Sequence, residues 1–338
     1  NIKTLIKKKE VLEQFLKKVY NYEPIPAELT AEEGKRVLGS QANLWTEYVP
    51  TYEHVEYMIL PRMPALAEVL WSSKESRNWE NFNQRLQPPL VGYEQRGFHY
   101  SKGNYKVDIK PIVANNSLSI ALETENADGA IYYTTDGSVP TIGSTKYKKP
   151  FVVTTSMTVK AIMALNGKVM NLKPAEQSFT FNKATGKTVK YDKANSRYYP
   201  ANGANTLTDG FRGTNDIGKQ WHGFRGNDMV ATIDLGTPVL ASSISLGTIQ
   251  NWPLWVFFPQ WVKFEVSVDG INFKEIKTVN NKIPVDARDT QIQDFTTKFP
   301  EQKIKAVRVT AKNLGKCPKG HPGENQSSWL FVDEIIVE

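Results

Sequence analysis

Apolar and polar residues alternate with helical spacing near the start of the chain. Over residues 2–19, apolar side chains recur at three- and four-residue steps and predict an amphipathic helix. The prolines of Glu23-Pro-Ile-Pro26 end this helix, because proline lacks the amide hydrogen that a helix interior donates. Residues 36–49 then predict a β-strand with its approach.

Two further helices are predicted after that strand. Residues 53–71 carry a helical pattern in which Pro61 and Pro64 should introduce a kink. A third helix is predicted over residues 75–86, and the Pro88–Pro89 pair should close it. The first part of the chain is therefore predicted to be mainly helical, with one strand.

The pattern changes near residue 105, where short alternating runs are separated by Asn, Asp, Gly and Pro. This spacing predicts an all-β structure, and Asp136–Gly137 is a typical turn signal. A linker is predicted over residues 182–190, followed by a second β region over residues 191–338. The alternating runs include Ser119–Glu123, Ala130–Thr134, Met157–Ile162, Val230–Leu235, Val262–Ser267 and Ala306–Thr310.

Composition sets the class of protein without naming a function. The 338 residues suffice for two or three domains, and 40% hydrophobic with 23% charged residues is ordinary for a globular protein. We expect no membrane span, because no apolar run approaches about 20 residues. The net charge of +7 is interpreted as solvated lysine surfaces or as attraction to acidic glycans; no nucleic-acid-binding motif supports a nucleic-acid partner.

The chain termini and its single cysteine add little. The first residue is Asn1 and a Lys-rich stretch rather than a signal-peptide pattern follows it, so we expect a processed or cut start. One cysteine, Cys317, excludes an intramolecular disulfide. Cys317-Pro-Lys-Gly-His321 supplies half of a zinc site at most, and a plain loop is predicted.

Three motifs in the first part resemble a known catalytic domain. They are Gly39-Ser-Gln-Ala-Asn-Leu-Trp-Thr-Glu47, Tyr57-Met-Ile-Leu-Pro-Arg62 and Ala65-Leu-Ala-Glu-Val-Leu-Trp71. Together, over roughly residues 18–90, they resemble the closing strand and helix of the barrel in glycoside hydrolase family 20, the exo-β-N-acetylhexosaminidases. The resemblance implies that residues 1–100 are the remnant of a TIM (β/α)8 barrel.

The same resemblance gives roles to two residues of the predicted strand. It implies that Trp45 lines the pocket for a terminal N-acetylhexosamine and that Glu47 holds the outer hydroxyls of that sugar. On a strand, side chains two positions apart share a face, so the ring and the carboxylate would lie side by side. The alternative is a buried tryptophan and a salt-bridged glutamate. Arg62 and Glu68 fit the family's helix as structural residues, paired with each other or with neighbouring segments.

The catalytic residues of that family are not identified in this chain. Its members use substrate-assisted catalysis, with a glutamic acid as proton donor and an aspartate that orients the substrate acetamide. The only Asp-Glu dipeptide is Asp333–Glu334, which lies in the pattern of a late β-strand and is rejected as the catalytic pair. We therefore expect no catalysis by this chain alone, and no catalytic cofactor.

Two further resemblances cover the β regions. The arrangement Tyr132-Tyr-Thr-Thr-Asp-Gly-Ser-Val-Pro-Thr141 resembles the immunoglobulin-like domain that follows the barrel in chitobiases and hexosaminidases, here over residues 105–182. Residues 191–338 resemble a discoidin-like domain (coagulation factor 5/8 type C), which also serves as a carbohydrate-binding module with a jelly-roll fold. The motifs of the latter are Leu207–Gly210, Trp221–Phe224, Ile233–Gly236, Val266–Gly270 and Phe331–Ile335.

The discoidin-like resemblance implies a structural Ca²⁺. Its ligands would be the Asp209 side chain, Thr214, a backbone carbonyl near Arg212, and Glu334, which fits the preference of this cation for oxygen. The alternative is an Asx turn at Asp209 with Glu334 free of metal.

A glycan site on this domain would use aromatic side chains on loops at one end of the sandwich. Phe257 and Phe258 cannot both point inward from one strand, so one of them is expected to be exposed. Some sandwiches of this fold bind lipid or protein instead. The candidate residues are Trp252, Trp255, Phe257, Phe258 and Trp261, with His222 and His321 as polar candidates.

The sequence thus predicts a multidomain chain, with a barrel remnant followed by an immunoglobulin-like and a discoidin-like all-β sandwich. The first hypothesis is a segment of an exo-β-N-acetylhexosaminidase that releases terminal β-linked GlcNAc or GalNAc. The second is a non-catalytic glycan-binding protein with a vestigial hydrolase segment. By family analogy, the partners would be glycans with terminal N-acetylhexosamine and the location a bacterial periplasm or surface.

Overall fold

The fold was obtained as a computed structural model that describes residues 16–45, 47, 49–126, 128–170, 173–193 and 196–338. Of the helix predicted over residues 2–19, only the last turn falls in these ranges, and the rest lies outside the described residues. Within them, no helix is long and apolar enough to cross a membrane.

The described part of the first hundred residues is helical. The helices are α1 Leu16–Tyr20, α2 Ala31–Gly34, α3 Tyr52–Ile59, α4 Arg62–Trp71 and α5 Trp79–Gln95. Short 3-10 turns lie at Lys74–Ser76, Gly103–Tyr105, Thr206–Thr208 and Trp252–Leu254. The prediction of a strand over residues 36–49 is wrong for the described residues, since those from 37 to 45 have no regular structure.

Proline divides the predicted second helix. The chain leaves the helix at Leu60, which has extended backbone, and α4 begins directly after Pro61. Pro64 is the third residue of α4, in the first turn, where the missing amide hydrogen has no partner within the helix in any case. The helix predicted over residues 53–71 is thus broken at Pro61, whereas α4 continues through Pro64.

Helix α5 runs through the proline pair that was expected to end it. Asn78 caps its start by accepting a hydrogen bond from the amide of Asn81 at 2.8 Å. Pro88 and Pro89 are exposed, while the inner face of the helix is buried. The predicted end at residue 86 is therefore wrong, because burial of Leu90 beyond the prolines holds the helix together.

The first β-sandwich packs two sheets, one with the order β1-β2-β5 and one with β4-β3-β6-β7, in which β8 also pairs with β6. Asn115 and Asn116, both with positive φ, form the two-residue turn of the β1–β2 hairpin. The strands are β1 Val107–Ala114, β2 Ser117–Thr124, β3 Ala130–Thr134, β4 Thr145–Lys146, β5 Phe151–Val152, β6 Met157–Leu165, β7 Lys168–Val169 and β8 Ala175–Phe179.

The helices and the first sandwich share one hydrophobic core. Leu86 and Leu90 of α5 belong to the same buried cluster as Ile120 of β2 and Met163 of β6. Polar contacts reinforce the joint, as when the Asn83 side-chain amide donates to the backbone carbonyl of Glu125 at 3.0 Å. The helical segment is thus anchored on the sandwich that follows it.

The second sandwich is built on two long antiparallel strands, β11 and β14. Their pairing register shifts between Asp234 and Val239, next to Gly236 with φ of 85°. The two strands continue past this irregularity and pair with each other on both sides of it. Its sheet order is β10-β15-β11-β14-β12-β13, with β9 also paired to β11. The strands are β9 Val189–Tyr191, β10 His222–Arg225, β11 Met229–Gln250, β12 Trp261–Ser267, β13 Lys274–Asn280, β14 Gln291–Ala311 and β15 Trp329–Val337.

The segment between the sandwiches is packed rather than extended. Asn182 is buried, and its side-chain oxygen accepts hydrogen bonds from the amides of Ala184 at 2.8 Å and Val337 at 3.2 Å. The amide of Gly186 donates to the carbonyl of Thr208 at 2.8 Å. The predicted linker over residues 182–190 does connect the two sandwiches, but it is a packed joint with buried residues, and its last two residues already belong to the strand Val189–Tyr191.

Candidate functional site

Trp45 and Glu47 both lie at the surface of the helical segment. The Trp45 side chain is 78% exposed, and Glu47 is exposed as well. Because Trp45 follows an irregular stretch, the strand geometry that would set the two side chains on one face is not observed. Neither of the alternatives, a buried ring or a salt-bridged carboxylate, is seen among the described contacts.

Arg62 and Glu68 do not pair with each other. The Arg62 guanidinium donates to the carbonyls of Tyr57 at 2.9 Å and Met58 at 2.8 Å, so it caps the end of α3. Glu68 accepts two hydrogen bonds from Arg85 of α5, at 2.6 and 2.7 Å. Both residues therefore connect helices, as the structural interpretation predicted.

Asp333 and Glu334 are fully buried in β15. Asp333 accepts hydrogen bonds from the Arg212 side chain at 3.0 Å and from the amide of Gly213 at 2.8 Å. These contacts pin the loop after Gly210 against the sheet. A pair enclosed in this way cannot protonate a glycosidic oxygen, which agrees with its rejection as the catalytic pair.

Asp209 and Glu334 form a second buried acidic pair. Glu334 accepts a hydrogen bond from the amide of Gly210 at 3.2 Å, and Asp209 accepts one from the amide of Phe211 at 2.8 Å. Burial raises the pKa of both carboxyl groups, and their mutual repulsion raises the pKa of Glu334 further. Within the described ranges, no lysine or arginine forms an ion pair with either one.

The donor set around this pair fits a hard cation in part. Two buried carboxyls supply oxygen ligands, which suit Ca²⁺. Of the other predicted ligands, Thr214 uses its carbonyl to accept a hydrogen bond from the Trp221 indole at 2.8 Å. The Arg212 side chain pairs with Asp333, so this residue could contribute only its backbone carbonyl. No cluster of three acidic, histidine or cysteine ligands occurs among the residues that the structure describes.

Two asparagines complete the surroundings of the acids and were not predicted. The Asn202 side-chain amide donates to Asp209 at 2.7 Å, and that of Asn182 lies 3.4 Å from Glu334. No motif singled them out, because asparagine is common in the turns of this region.

Aromatic side chains meet at one end of the second sandwich. The rings of Trp252 and His321 lie 4.3 Å apart, and the Arg288 guanidinium lies 4.8 Å from the centre of the Trp252 ring. His321 is held by the Trp252 carbonyl and the Gly323 amide, both at 2.9 Å. Trp255 is half-buried beside this histidine, so the two tryptophans retain some accessible surface.

Phe257 and Phe258 are both buried, at 1% and 2% exposure. The prediction that one of them is exposed is therefore wrong. They lie in an irregular segment before β12, where strand alternation does not apply. Phe257 packs against His321 and Phe258 against Phe295, so neither reaches a ligand from this position.

His222 is a core residue of β10, with no exposed surface. Neither of its ring nitrogens has a hydrogen-bond partner among the described residues. Burial lowers its pKa to about 4, so the ring is neutral at physiological pH. It therefore does not serve as a surface contact. Trp261, by contrast, is half-buried at the start of β12.

The Cys317–His321 segment is a loop, as predicted. Cys317 is buried, its pKa is raised by burial, and His321 is engaged by the backbone atoms described above. A thiol in such surroundings is a poor nucleophile.

Three known families match successive parts of the chain. Residues 5–74 match the catalytic domain of glycosyl hydrolase family 20. Residues 113–172 match the chitobiase/beta-hexosaminidase C-terminal domain, and residues 191–330 match the F5/8 type C domain.

Curated relatives carry hexosaminidase names. A beta-hexosaminidase of Porphyromonas gingivalis is 32% identical over 158 residues, which is 44% of this chain and 20% of that protein. A beta-N-acetylhexosaminidase of Cellulomonas fimi is 29% identical over 85 residues, or 25% of this chain and 17% of that protein. This chain thus spans about a fifth of the length of these relatives.

Solved structures match a little less than half of the chain at low similarity. Chitosan-binding module 1 of a chitosanase/glucanase from Paenibacillus sp. IK-5 covers 47% of this chain and 98% of its own, at 19% identity and a TM-score of 0.29. A likeness at this score supports no argument about function. The family matches show that three successive parts of the chain are similar to the family 20 catalytic domain, the chitobiase/β-hexosaminidase C-terminal domain and the F5/8 type C domain.

Proposed function

We propose that this chain is part of an exo-β-N-acetylhexosaminidase that removes terminal β-linked GlcNAc or GalNAc from glycans. The observation that carries the proposal is the exposure of large apolar side chains in the segment that matches the catalytic domain. Large exposed apolar surface marks a place where another structure packs or a ligand binds. These side chains are Leu38 at 99%, Trp45 at 78%, Tyr52 at 70%, Met63 at 57% and Trp71 at 91% exposure.

In the proposed enzyme, Trp45 and Glu47 belong to the sugar pocket. An indole face stacks on the apolar face of a pyranose, and a carboxylate accepts hydrogen bonds from its hydroxyl groups. The general acid and the acetamide-orienting aspartate are assigned to other parts of a complete barrel, because Asp333 and Glu334 are enclosed in β15. Trp45 and Glu47 form one wall of the proposed pocket, and this wall alone does not catalyse the reaction.

Release of p-nitrophenol from p-nitrophenyl β-N-acetylglucosaminide tests this proposal. We expect no turnover by this chain and turnover by a longer chain that completes the barrel upstream of Asn1. In the longer chain, Trp45→Ala should lower kcat/KM by about 100-fold, a loss of about 2.7 kcal/mol of transition-state binding. Tyr198→Ala, which removes an exposed aromatic side chain of the second sandwich, should not. Turnover by the present chain alone would contradict the assignment.

The second candidate function is glycan binding by the second sandwich without catalysis. Trp252, with Arg288 over its ring, offers a half-buried aromatic surface at the end of the fold. A titration of this chain with N-acetylglucosamine tests it, and Trp252→Ala is expected to weaken the binding. If the longer chain shows no turnover and this binding is present, the catalytic segment is vestigial.

We further propose that Asp209 and Glu334 hold a structural Ca²⁺. The support is the pair of buried carboxyls that no cationic side chain neutralises within the described ranges. Bound calcium would supply that positive charge and would hold the loop at residue 209 against β15.

A periplasmic or cell-surface location also belongs to the proposal. It rests on the hexosaminidase relatives from Porphyromonas gingivalis and Cellulomonas fimi. Fractionation of cells that express the protein, with detection in the extracellular or periplasmic fraction, tests it. Detection in the cytoplasmic fraction alone would contradict it.

A further inference from the structure

A cleft opens where the two sandwiches meet. Its volume is about 620 Å³, within the range of about 300–1,000 Å³ typical of small-molecule sites. One wall comes from the β1–β2 turn and β5, another from the end of β15, and the joint between the sandwiches lines the rest. None of the candidate residues discussed above as sugar contacts takes part in it.

The floor of the cleft is rigid. A Cβ atom on Gly186 would lie 2.7 Å from backbone atoms of both Ser117 and Leu118, so the joint packs directly on the first sandwich. Asn182 and Thr185 are buried, and the Asn182 amide donates to the Thr185 hydroxyl at 2.8 Å. A surface of this kind loses little conformational freedom when a ligand binds.

The side chains on this floor and its rim are chemically mixed. Phe181 is 41% exposed although it lies on the packed joint. Lys183 is exposed and Lys187 half-buried, and neither forms an ion pair with a carboxylate among the described residues. Glu338 supplies the one carboxylate of the lining.

This combination matches one ligand class. An aromatic ring that remains accessible suits the apolar face of a sugar. Two ammonium groups that form no ion pair within the described part of the chain suit an anionic substituent, to which each donates charge-assisted hydrogen bonds. A carboxylate on the rim accepts hydrogen bonds from sugar hydroxyls. The side chains of two lysines and one glutamate give the lining a net side-chain charge of +1.

We propose that the cleft between the sandwiches binds an acidic sugar, with its ring on Phe181 and its carboxylate or sulfate on Lys183 and Lys187. The site is separate from the proposed sugar pocket at Trp45 and from the aromatic end of the second sandwich. It therefore does not depend on hexosaminidase activity.

Calorimetric titration of the full chain tests the proposal with three probes: N-acetylglucosamine 6-sulfate, glucuronic acid and neutral N-acetylglucosamine. At least one acidic sugar should bind about fivefold more tightly than the neutral one, since each exposed ion pair adds only a small favourable free energy. Preference for the sulfate or for the uronate identifies the anionic group. Higher salt should weaken the binding, because exposed charges are screened.

Matched variants locate the binding. Lys183→Ala with Lys187→Ala should remove the preference for the acidic sugar. Lys190→Ala with Lys193→Ala, the same loss of charge on exposed lysines beyond the cleft, should keep it. The melting temperature of each double variant checks folding. Equal affinity for acidic and neutral sugars, or equal effects of the two double variants, would overturn the proposal.

Discussion

The acidic pair Asp209 and Glu334 shows how a single site can control stability. Each carboxyl is buried, and burial raises each pKa. The folded protein therefore retains protons that the unfolded chain has already released above pH about 4. Without a compensating cation, the free energy of unfolding must fall as the pH rises beyond that value.

The first prediction concerns this pair. With EDTA at pH 8, Asp209→Asn should raise the melting temperature, because it removes a buried charge. With calcium at 100 times its dissociation constant, the native protein should gain about 2.7 kcal/mol, and the variant should not. Thermal unfolding with EDTA and with calcium measures both. Asp192→Asn, at an exposed position, is the control; identical curves for the native protein in the two buffers would contradict the calcium site.

Glu125 should also make the stability of the protein depend on pH. Burial raises its pKa to about 7, and one of its carboxylate oxygens has no hydrogen-bond partner among the described residues. The folded state thus binds more protons than the unfolded state between pH about 4.5 and 7, so this group lowers stability progressively across that window.

Glu125→Gln should remove that loss, because glutamine does not ionise. Urea unfolding at pH 5 and pH 8 should show a gain for the variant that is larger at pH 8. Glu123→Gln, an exposed carboxylate of the same hairpin that pairs with Lys110, should show no such gain. A variant with the same stability difference at both pH values would refute the role of Glu125.

Residue by residue, the motifs brought the right side chains together more often than the patterns predicted their burial. The loop motif at Asp209 and the last-strand motif at Glu334 placed the two acids together, and the structure brings them into one buried pair. The alternation argument failed for Phe257 and Phe258, because they lie outside a strand. The sequence could not show that His222 is buried, because a polar residue in a short strand gives no information about the residues that pack against it.

At the scale of elements, helix α5 makes the third prediction. Its first turn is capped by Asn78, and Asn78→Ala should lower the free energy of unfolding by about 1 kcal/mol. Asn78→Asp, which keeps an acceptor oxygen at the cap, should retain most of the stability. Chemical unfolding followed by circular dichroism measures the stability of the two variants. Equal losses of stability would show that the acceptor oxygen of the cap contributes nothing.

The elements that the sequence misplaced share a physical cause. Helix α5 continues past Pro88 and Pro89 because both are exposed, where water can reach the carbonyls that the missing amides leave unpaired. Periodicity identified the helix, but it could not show which face was buried. The strand predicted over residues 36–49 needs partner strands, and the described residues of the helical segment provide none.

At the scale of the molecule, the joint between the sandwiches is the main finding that the sequence did not predict. Phe179 of β8 packs against Phe211 of the second domain, with ring centres 4.7 Å apart and ring planes tilted by 52°. The Thr180 amide donates to the Gly210 carbonyl at 2.9 Å. A polar, lysine-rich segment is typical of a linker, and the buried role of Asn182 depends on partners more than 150 residues away.

Asn182→Ala is the fourth prediction and tests this joint. The change leaves the amides of Ala184 and Val337 without an acceptor, at a cost of about 1–3 kcal/mol for each buried group. Trypsin should then cleave after Lys183 and Lys187, which the native protein should resist. Mass spectrometry of a timed digest identifies the cuts. Gln177→Ala, which removes a hydrogen bond to Gln220 across the same boundary, is the control; equal resistance of the Asn182 variant would contradict the proposed role.

The same joint fixes the distance between the proposed sugar sites, and this distance decides how the two sites could bind one polymer. A flexible tether lets two sites explore many separations, and the second contact then forms at a moderate effective concentration whatever the spacing. A packed joint offers one separation only. The effective concentration of the second contact would be high for a polymer whose repeats match that separation. It would be close to zero for polymers with other repeats, so avidity would select polymers by their repeat length.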